Sequence, residues 1–269
     1  MRPYKGYNSI RETDNVARSR YDSLQVAWNR RFTRGLLFGV AYTFSHSYDN
    51  GSNQRDIIPD TYYAGNLWGP SEFDVHHVLI TNFLYDLPFL RNQHNLAGKM
   101  LGGWEVSGIF QIQTGTHCGI GAANDYARTG LDGSLGCGSA GEFWTKNGNP
   151  NIVGNFAANG NNDPHFFFAT TNSDGSKIFT QPANGTFNLQ PGIRGEIENP
   201  GFNNWNMGLF KKFVIHEMVQ FQFRAEAFDV FNHPNWGGPG LNPTSGNFGK
   251  VTGKSGDVRN LQLSLRFQF

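Results

Sequence analysis

The sequence is poor in charged residues. Its 22 Lys+Arg and 21 Asp+Glu make up 16% of 269 residues, whereas a soluble domain commonly has about 25%. It also lacks a cluster of Lys or Arg, and the formal net charge is only +1. These absences argue against a surface that binds nucleic acid or anionic lipid. Disorder is equally disfavoured, because 24 Phe and 14% aromatic residues are too many for a disordered chain.

Long apolar stretches are missing as well. No apolar run approaches the roughly 18 residues that a transmembrane helix needs, and the mean hydropathy is -0.47. The N-terminal stretch MRPYKGY contains no apolar segment of the kind found in a secretory signal. Strands that alternate apolar and polar residues escape such averages, so these absences do not exclude a membrane β-barrel.

Catalytic, cofactor and metal motifs are not recognisable either. No phosphate-binding loop or local nucleophile, base and acid arrangement is present, so the sequence predicts no enzyme, no catalytic residue and no cofactor. His76, His77 and His165 lack the spacing of a zinc site. The Asn/Asp/Gly runs 159–163 and 172–175 depart from the calcium-loop pattern and are explained by turns. No metal site is predicted.

The chain does contain strong alternation with a period of two residues, which is typical of β-strands. Many of the segments are about ten residues long, as in tilted strands that cross a bilayer. In the third segment the run Val78-Leu79-Ile80 leaves open which side faces which environment. The predicted strands lie in seven segments: 24–28, 36–45, 75–89, 104–113, 205–213, 219–227 and 261–269.

The connections between these strands alternate in length, as they do in outer-membrane barrels with short periplasmic turns and long external loops. The joins near 31–34 and 214–217 are short and 88–102 is intermediate, whereas 46–72, 114–203 and 232–256 are long. The sequence therefore predicts an all-β fold: part of an antiparallel transmembrane β-barrel with long extracellular loops, of which 114–203 is the longest.

Charged and amide side chains occupy the polar side of several strands. A charge facing lipid is costly, so these side chains are predicted to face a wet lumen. A structural network within the lumen is favoured over direct contact with a solute. The predicted lumen residues are Glu105, Gln111, Gln113, Gln220, Gln222, Arg224, Glu226, Gln262 and Arg266.

Two further features lie in the loops and at the C-terminus. Cys118 and Cys137 are both in segment 114–203, and a disulfide between them is predicted for an exported protein, with two free thiols as the alternative. The final segment alternates three Leu and two Phe with polar residues. A soluble protein rarely exposes such an edge, because it invites aggregation, whereas a strand that faces lipid is not at risk.

Several stretches together resemble the late barrel strands of TonB-dependent outer-membrane receptors, most closely the Oar-like branch with a carboxypeptidase-regulatory-like N-terminal domain. The likeness covers nearly the whole chain. It is carried by 21–26, 30–32, 41–45, 73–77, 87–89, 103–108, 203–211 and 223–235, and by a terminal strand in which Leu263, Leu265, Phe267 and Phe269 resemble the C-terminal signal read by the barrel-assembly machinery.

The resemblance implies a protein in the outer membrane of a Gram-negative-type bacterium, in contact with outer-membrane lipid. It also implies uptake of a scarce solute, such as a siderophore or an oligosaccharide, with TonB acting through an N-terminal plug. Because seven strands are too few and odd in number for a closed bacterial barrel, residues 1–269 are expected to be the C-terminal part of a larger one. Alternatives are a passive porin and a secreted soluble β-sandwich that binds carbohydrate.

Overall fold

The structure is a computed structural model. It describes residues 6, 15–53, 67–89, 95–121, 124–128, 142–150, 166–216, 219–256 and 258–268. The elements in these ranges are β1 (Ser19–Thr33), β2 (Leu36–Asp49), β3 (Gly69–Pro70), β4 (His77–Asp86), α1 (Leu96–Leu101), β5 (Trp104–Gln113), β6 (His117–Cys118), β7 (Thr145–Lys146), β8 (Phe179–Thr180), β9 (Ile197–Glu198), β10 (Phe202–His216), β11 (Val219–Phe228) and β12 (Asn260–Gln268).

Seven long strands form one antiparallel sheet in the order β1-β2-β4-β5-β10-β11-β12, and the short β3 pairs with the end of β2. Each long strand pairs with the long strands that precede and follow it in the chain, so the sheet is a meander. This confirms the seven predicted strands and their antiparallel arrangement. In the described part of the chain the sheet is open, with β1 and β12 at its edges.

The connection between β1 and β2 is a turn of two residues. Thr33 pairs with Leu36, and the residues between them, Arg34 and Gly35, have φ angles of 55° and 82°. Positive φ at both central positions defines a type I′ turn, whose twist suits an antiparallel hairpin. Glycine adopts this conformation without a steric cost, which explains Gly35 at the second position. The predicted short join is confirmed.

The connection between β4 and β5 contains α1, which the sequence did not predict. Asn95 caps it, since its Oδ1 accepts a hydrogen bond of 2.7 Å from the Gly98 amide. The Lys211 side chain of β10 donates to the Gly102 carbonyl just beyond α1 and lies between the rings of Trp104 and Phe213. In the described residues no helix is long and apolar enough to cross a membrane.

The register gives the sheet one polar face across all seven strands, because residues paired across antiparallel strands point to the same side. Glu105 pairs with Phe210, which pairs with Arg224, which pairs with Ser264. The register also settles the facing of β4, since Ile80 pairs with Gln111. On β4 the polar face carries Val78, Ile80, Asn82, Leu84 and Asp86, and the opposite face carries Leu79, Thr81, Phe83 and Tyr85.

The buried hydrophobic residues of the described chain all lie outside the seven long strands. The largest cluster packs the two longest connections together, and we call the described parts of 114–201 and 229–259 the loop layer. Residues of β12 such as Leu263 and Leu265 are instead 73% and 66% exposed. The cluster consists of Ile120, Phe168, Ala169, Ile178, Phe179 and Ile197, with Trp144, Phe167, Leu241 and Phe248 packed against it.

Candidate functional site: the polar face and the loop layer

The nine predicted lumen residues share the polar face of the sheet. Glu105, Gln111 and Gln113 of β5 pair with residues of β10 that lie on the same side as the polar residues of β11, and these in turn pair with Gln262 and Arg266 of β12. The common face follows from the register. That this face lines a water-filled lumen stays a prediction.

The charges of this face contact one another and an aromatic ring. Arg224 Nη2 lies 3.3 Å from Glu226 Oε1, and its guanidinium lies 5.0 Å from the centre of the Phe210 ring. On the neighbouring strands, Lys212 Nζ lies 3.9 Å from Glu105 Oε2. Such pairing lowers the cost of holding charges in a confined site.

Some apolar residues also lie on the polar face, which the sequence did not indicate. Ile109 is 58% exposed there and Ile80 41%. Alternation in β5 is broken because Gly108, not Ile109, lies on the apolar side. The Phe83 ring of β4 covers Gly108 so closely that a Cβ atom would collide with it. The glycine therefore makes room for an aromatic ring on the apolar face.

A cleft of about 750 Å³ opens where the ends of β5 and β10 meet the loop layer. Its size falls in the range typical of small-molecule sites. Asn203 and Asn235 fix one wall through two hydrogen bonds of 2.8 and 3.0 Å between the Asn235 side chain and the Asn203 backbone. The cleft is lined by aromatic and proline residues together with polar ones, including Phe202, Pro234, Trp236, Asn199, Asn203 and His233.

A buried ion pair ties the loop layer to the end of β2. The Arg194 guanidinium pairs with the Asp49 carboxylate, and both residues are at least 97% buried. Arg194 also donates to the Asp49 carbonyl at 2.6 Å and to Ser52 Oγ at 2.5 Å. Gly69 lies directly against the Arg194 backbone carbonyl, where a Cβ atom would clash. The loop layer is thus docked on the sheet by a charge pair removed from water.

Three histidines and an aspartate converge beside this anchor. His76 Nε2 lies 3.1 Å from Asp74 Oδ2 and 3.2 Å from His117 Nε2, and His117 Nε2 lies 3.9 Å from Asp74 Oδ2. The His46 ring lies 4.3 Å from the His76 ring between centres. We call these four residues the histidine cluster. The sequence did not predict it, because His46 and His117 are far in the chain from Asp74 and His76. His165 lies outside the described residues.

A family model described as an outer membrane beta barrel domain matches residues 1–262. The chain belongs to the outer-membrane β-barrel family. The predicted transmembrane β-barrel fold and outer-membrane location are therefore confirmed, and a secreted β-sandwich does not fit. No curated protein is significantly similar to the chain.

In a barrel of this family, the uncovered apolar face of the sheet is expected to face lipid. The C-terminal strand fits that arrangement, since Leu263, Leu265 and Phe267 are on the apolar face and more than half exposed. Phe269 lies outside the described residues. The role of these four residues as an assembly signal stays a prediction.

The predicted disulfide of the barrel stays a prediction as well. Cys118 is fully buried in β6, where it pairs with Ile197 of β9. Cys137 lies outside the described residues. Of the two Asn/Asp/Gly runs, 159–163 also lies outside them, and 172–175 is a turn in which Asp174 Oδ1 accepts hydrogen bonds of 2.9 and 2.6 Å from Ser176. These bonds lower the pKa of Asp174.

Glu196 is a buried acid in the barrel's loop layer. It is 9% exposed, and among the described residues neither carboxylate oxygen has a hydrogen-bond partner. Burial raises the pKa of Glu196 to about 8, even though Lys146 opposes the shift. A carboxyl with no partner favours its neutral form when it is removed from water.

The loop layer should therefore lose stability as the pH rises from about 5 to about 8, because the unfolded acid releases its proton near pH 4.3 and the folded acid near pH 8. Glu196→Gln should remove this dependence, so that its gain in stability over the wild type grows by about 4 kcal/mol between pH 5 and pH 8. Denaturation at several pH values, monitored with a spectroscopic probe in the loop layer, measures this dependence of stability on pH. Glu198→Gln, at an exposed position nearby, is the control; parallel pH profiles for wild type and Glu196→Gln would contradict the assignment.

Proposed function

We propose that this barrel is part of a TonB-dependent receptor that takes up a scarce solute such as a siderophore or an oligosaccharide. The observation that supports it most is the combination of a polar face across seven strands with a folded loop layer that forms a cleft at one end of that face. A solute captured in the cleft would be adjacent to the polar face that leads across the membrane.

The loop layer favours a receptor over a passive porin. A porin needs only a polar lumen, whereas this chain has a separate hydrophobic core in its loops and an ion pair that docks them. Such order is expected of a site that binds a ligand before transport, because a preformed site loses less conformational entropy on binding. The cleft combines aromatic side chains with amides, which suits solutes with both apolar and hydrogen-bonding surfaces.

The partners in this proposal, TonB and the barrel-assembly machinery, are those that the resemblance to TonB-dependent receptors implies. In this proposal TonB delivers energy through the N-terminal plug that such receptors carry, and the barrel-assembly machinery inserts the chain by its C-terminal strand. The protein acts as a transporter and not as an enzyme. The cleft residues bind and orient the solute, and no bond in the solute is broken.

Uptake by cells that express the natural full-length protein tests the proposal. We expect accumulation of a ligand found by screening siderophores and oligosaccharides, and loss of that accumulation when TonB is deleted or the proton gradient is collapsed. Trp236→Ala in the cleft should raise the half-saturating ligand concentration at least about tenfold, since aromatic residues carry much of the binding energy at such sites.

Trp68→Ala is the matched control, because Trp68 has a similar exposure, 38% against 41% for Trp236, and stacks on Tyr48 away from the cleft. Uptake that continues without TonB and without a proton gradient would support a passive porin and contradict the receptor. If the two tryptophan substitutions have equal effects, the ligand does not bind in the cleft.

A further inference from the structure

We propose that His46, Asp74, His76 and His117 bind a divalent transition metal ion of the Zn²⁺ class. The side chains come from the end of β2, from the segment before β4 and from β6. One ligand atom from each of His46, Asp74 and His76 lies within 4.8 Å of the others. His117 joins them through its contact with His76. Imidazole nitrogens and a carboxylate oxygen are ligands that zinc commonly takes.

The spacing of the ligand atoms suits a tetrahedral site. Zinc binds nitrogen and oxygen at about 2.0–2.1 Å, which places two ligand atoms of a tetrahedron about 3.4 Å apart. The separations in the triangle of His76 Nε2, His117 Nε2 and Asp74 Oδ2 are 3.1, 3.2 and 3.9 Å. A ring nitrogen of His46 lies within 4.8 Å of the ligand atoms of Asp74 and His76 and would be the fourth ligand.

Asp74 is held in place but leaves one oxygen without a hydrogen bond. Its Oδ1 accepts a 2.7 Å bond from the Ser47 amide. The Asp74 side chain is only 1% exposed, so its Oδ2 is removed from water. Among the described residues this oxygen has no hydrogen-bond partner. A buried carboxylate oxygen in this state is costly unless it meets a cation. Oδ2 lies 3.1 Å from His76 Nε2, on the side of the histidines.

The surroundings of the histidines fit a ligand role, and His117 Nε2 lies 3.2 Å from His76 Nε2. His117 Nδ1 lies 3.1 Å from the Gly195 carbonyl oxygen, which can only accept, so Nδ1 carries the proton and Nε2 offers a lone pair. This arrangement, in which a backbone carbonyl orients the second ring nitrogen, is usual for histidines that bind metals. His46 Nδ1 is likewise buried without a hydrogen-bond partner among the described residues.

A metal ion at this position would connect three segments that are distant in sequence. It would join the end of β2 and the segment before β4 to the loop layer through His117, close to the Arg194–Asp49 pair. Its role would be to fasten the loop layer to the sheet, independently of which solute the receptor takes up. The metal site therefore does not depend on the proposed transport function.

Zn²⁺ binding to the purified full-length protein in detergent tests the proposal. After treatment with chelator and dialysis, we expect one Zn²⁺ per chain by calorimetry and metal analysis. His117→Ala and Asp74→Asn should each lower the affinity at least about tenfold. Zn²⁺ should also slow proteolysis of the loop layer in the wild type but not in His117→Ala.

His77→Ala is the matched control. His77 is adjacent to His76 in sequence, but its Nδ1 contacts the Tyr42 hydroxyl at 2.8 Å, away from the cluster, so Zn²⁺ affinity should not change. Heat modifiability on gels checks that each variant is folded, and His46→Ala replaces any variant that is not. The proposal is overturned if the wild type binds no stoichiometric Zn²⁺, or if His117→Ala and His77→Ala bind it equally well.

Discussion

Replacement of Arg194 by methionine is expected to destabilise the docking of the loop layer by about 3–5 kcal/mol, because it leaves the Asp49 carboxylate buried without its partner. Arg194 contacts Asp49, the last residue of β2, and Ser52 just beyond it, while Arg194 itself belongs to the loop layer. The loss should therefore be local. Hydrogen exchange in 166–201 should become faster, whereas exchange in the long strands should stay slow.

Two variants make this expectation specific. Arg20→Met removes an ion pair of 2.7 Å whose side chains are 71% and 60% exposed, and it should change loop exchange little, since water screens such pairs. The double variant Arg194→Met with Asp49→Leu removes both buried charges and should recover most of the loss, because a buried pair can often be replaced by apolar residues. Failure of the double variant to recover would show that the hydrogen bonds of Arg194, and not the unpaired charge, hold the loop layer.

The substitution Leu265→Arg should destabilise the folded barrel by about 2–4 kcal/mol, because it places a charge on the lipid-facing side near the middle of a spanning strand. Leu265 is 66% exposed on the apolar face of β12. Its neighbour Ser264 pairs with Arg224 on the polar face. Ser264→Arg should therefore cost much less, apart from the repulsion between two arginines.

Equilibrium unfolding of the full-length protein from lipid vesicles measures both variants. Ser264→Gln lengthens the side chain without adding a charge. It therefore separates charge repulsion by Arg224 from the effect of a larger side chain on the polar face. If Leu265→Arg and Ser264→Gln are equally destabilising, or if Ser264→Arg is the worse of the two arginine variants, the assignment of the faces is wrong.

The strands could be predicted from the sequence because a sheet with two different environments imposes a period of two residues. In β11 the alternation of Phe221 and Phe223 with Gln222 and Arg224 identifies both the strand and its faces. The sequence leaves the two faces open in β4, where Val78, Leu79 and Ile80 are all apolar. There the register with β5 supplies what the local sequence does not.

The loop layer could not be predicted, because its contacts join distant residues without any periodic pattern. Arg194 and Asp49 are 145 residues apart, and His76 and His117 are 41 apart. Phe168 and Phe248 meet in the core across two different connections. Local zinc motifs have ligands that are close in sequence, whereas the partners of His76 lie in β2 and β6, far from it in the chain.

The two-faced sheet can be tested most directly by labelling single cysteines along β11 and β12 of the full-length protein in lipid vesicles, with the native cysteines replaced. A water-soluble thiol reagent should react with cysteines on the polar face, at positions 222, 224, 262, 264 and 266. Fluorophores attached to cysteines on the apolar face should instead be quenched by quenchers on lipid tails, at positions 221, 223, 261, 263 and 265. Such a period of two residues in both strands is the predicted result. Water accessibility at all ten positions, or lipid contact without alternation, would contradict a membrane barrel whose polar face lines the lumen.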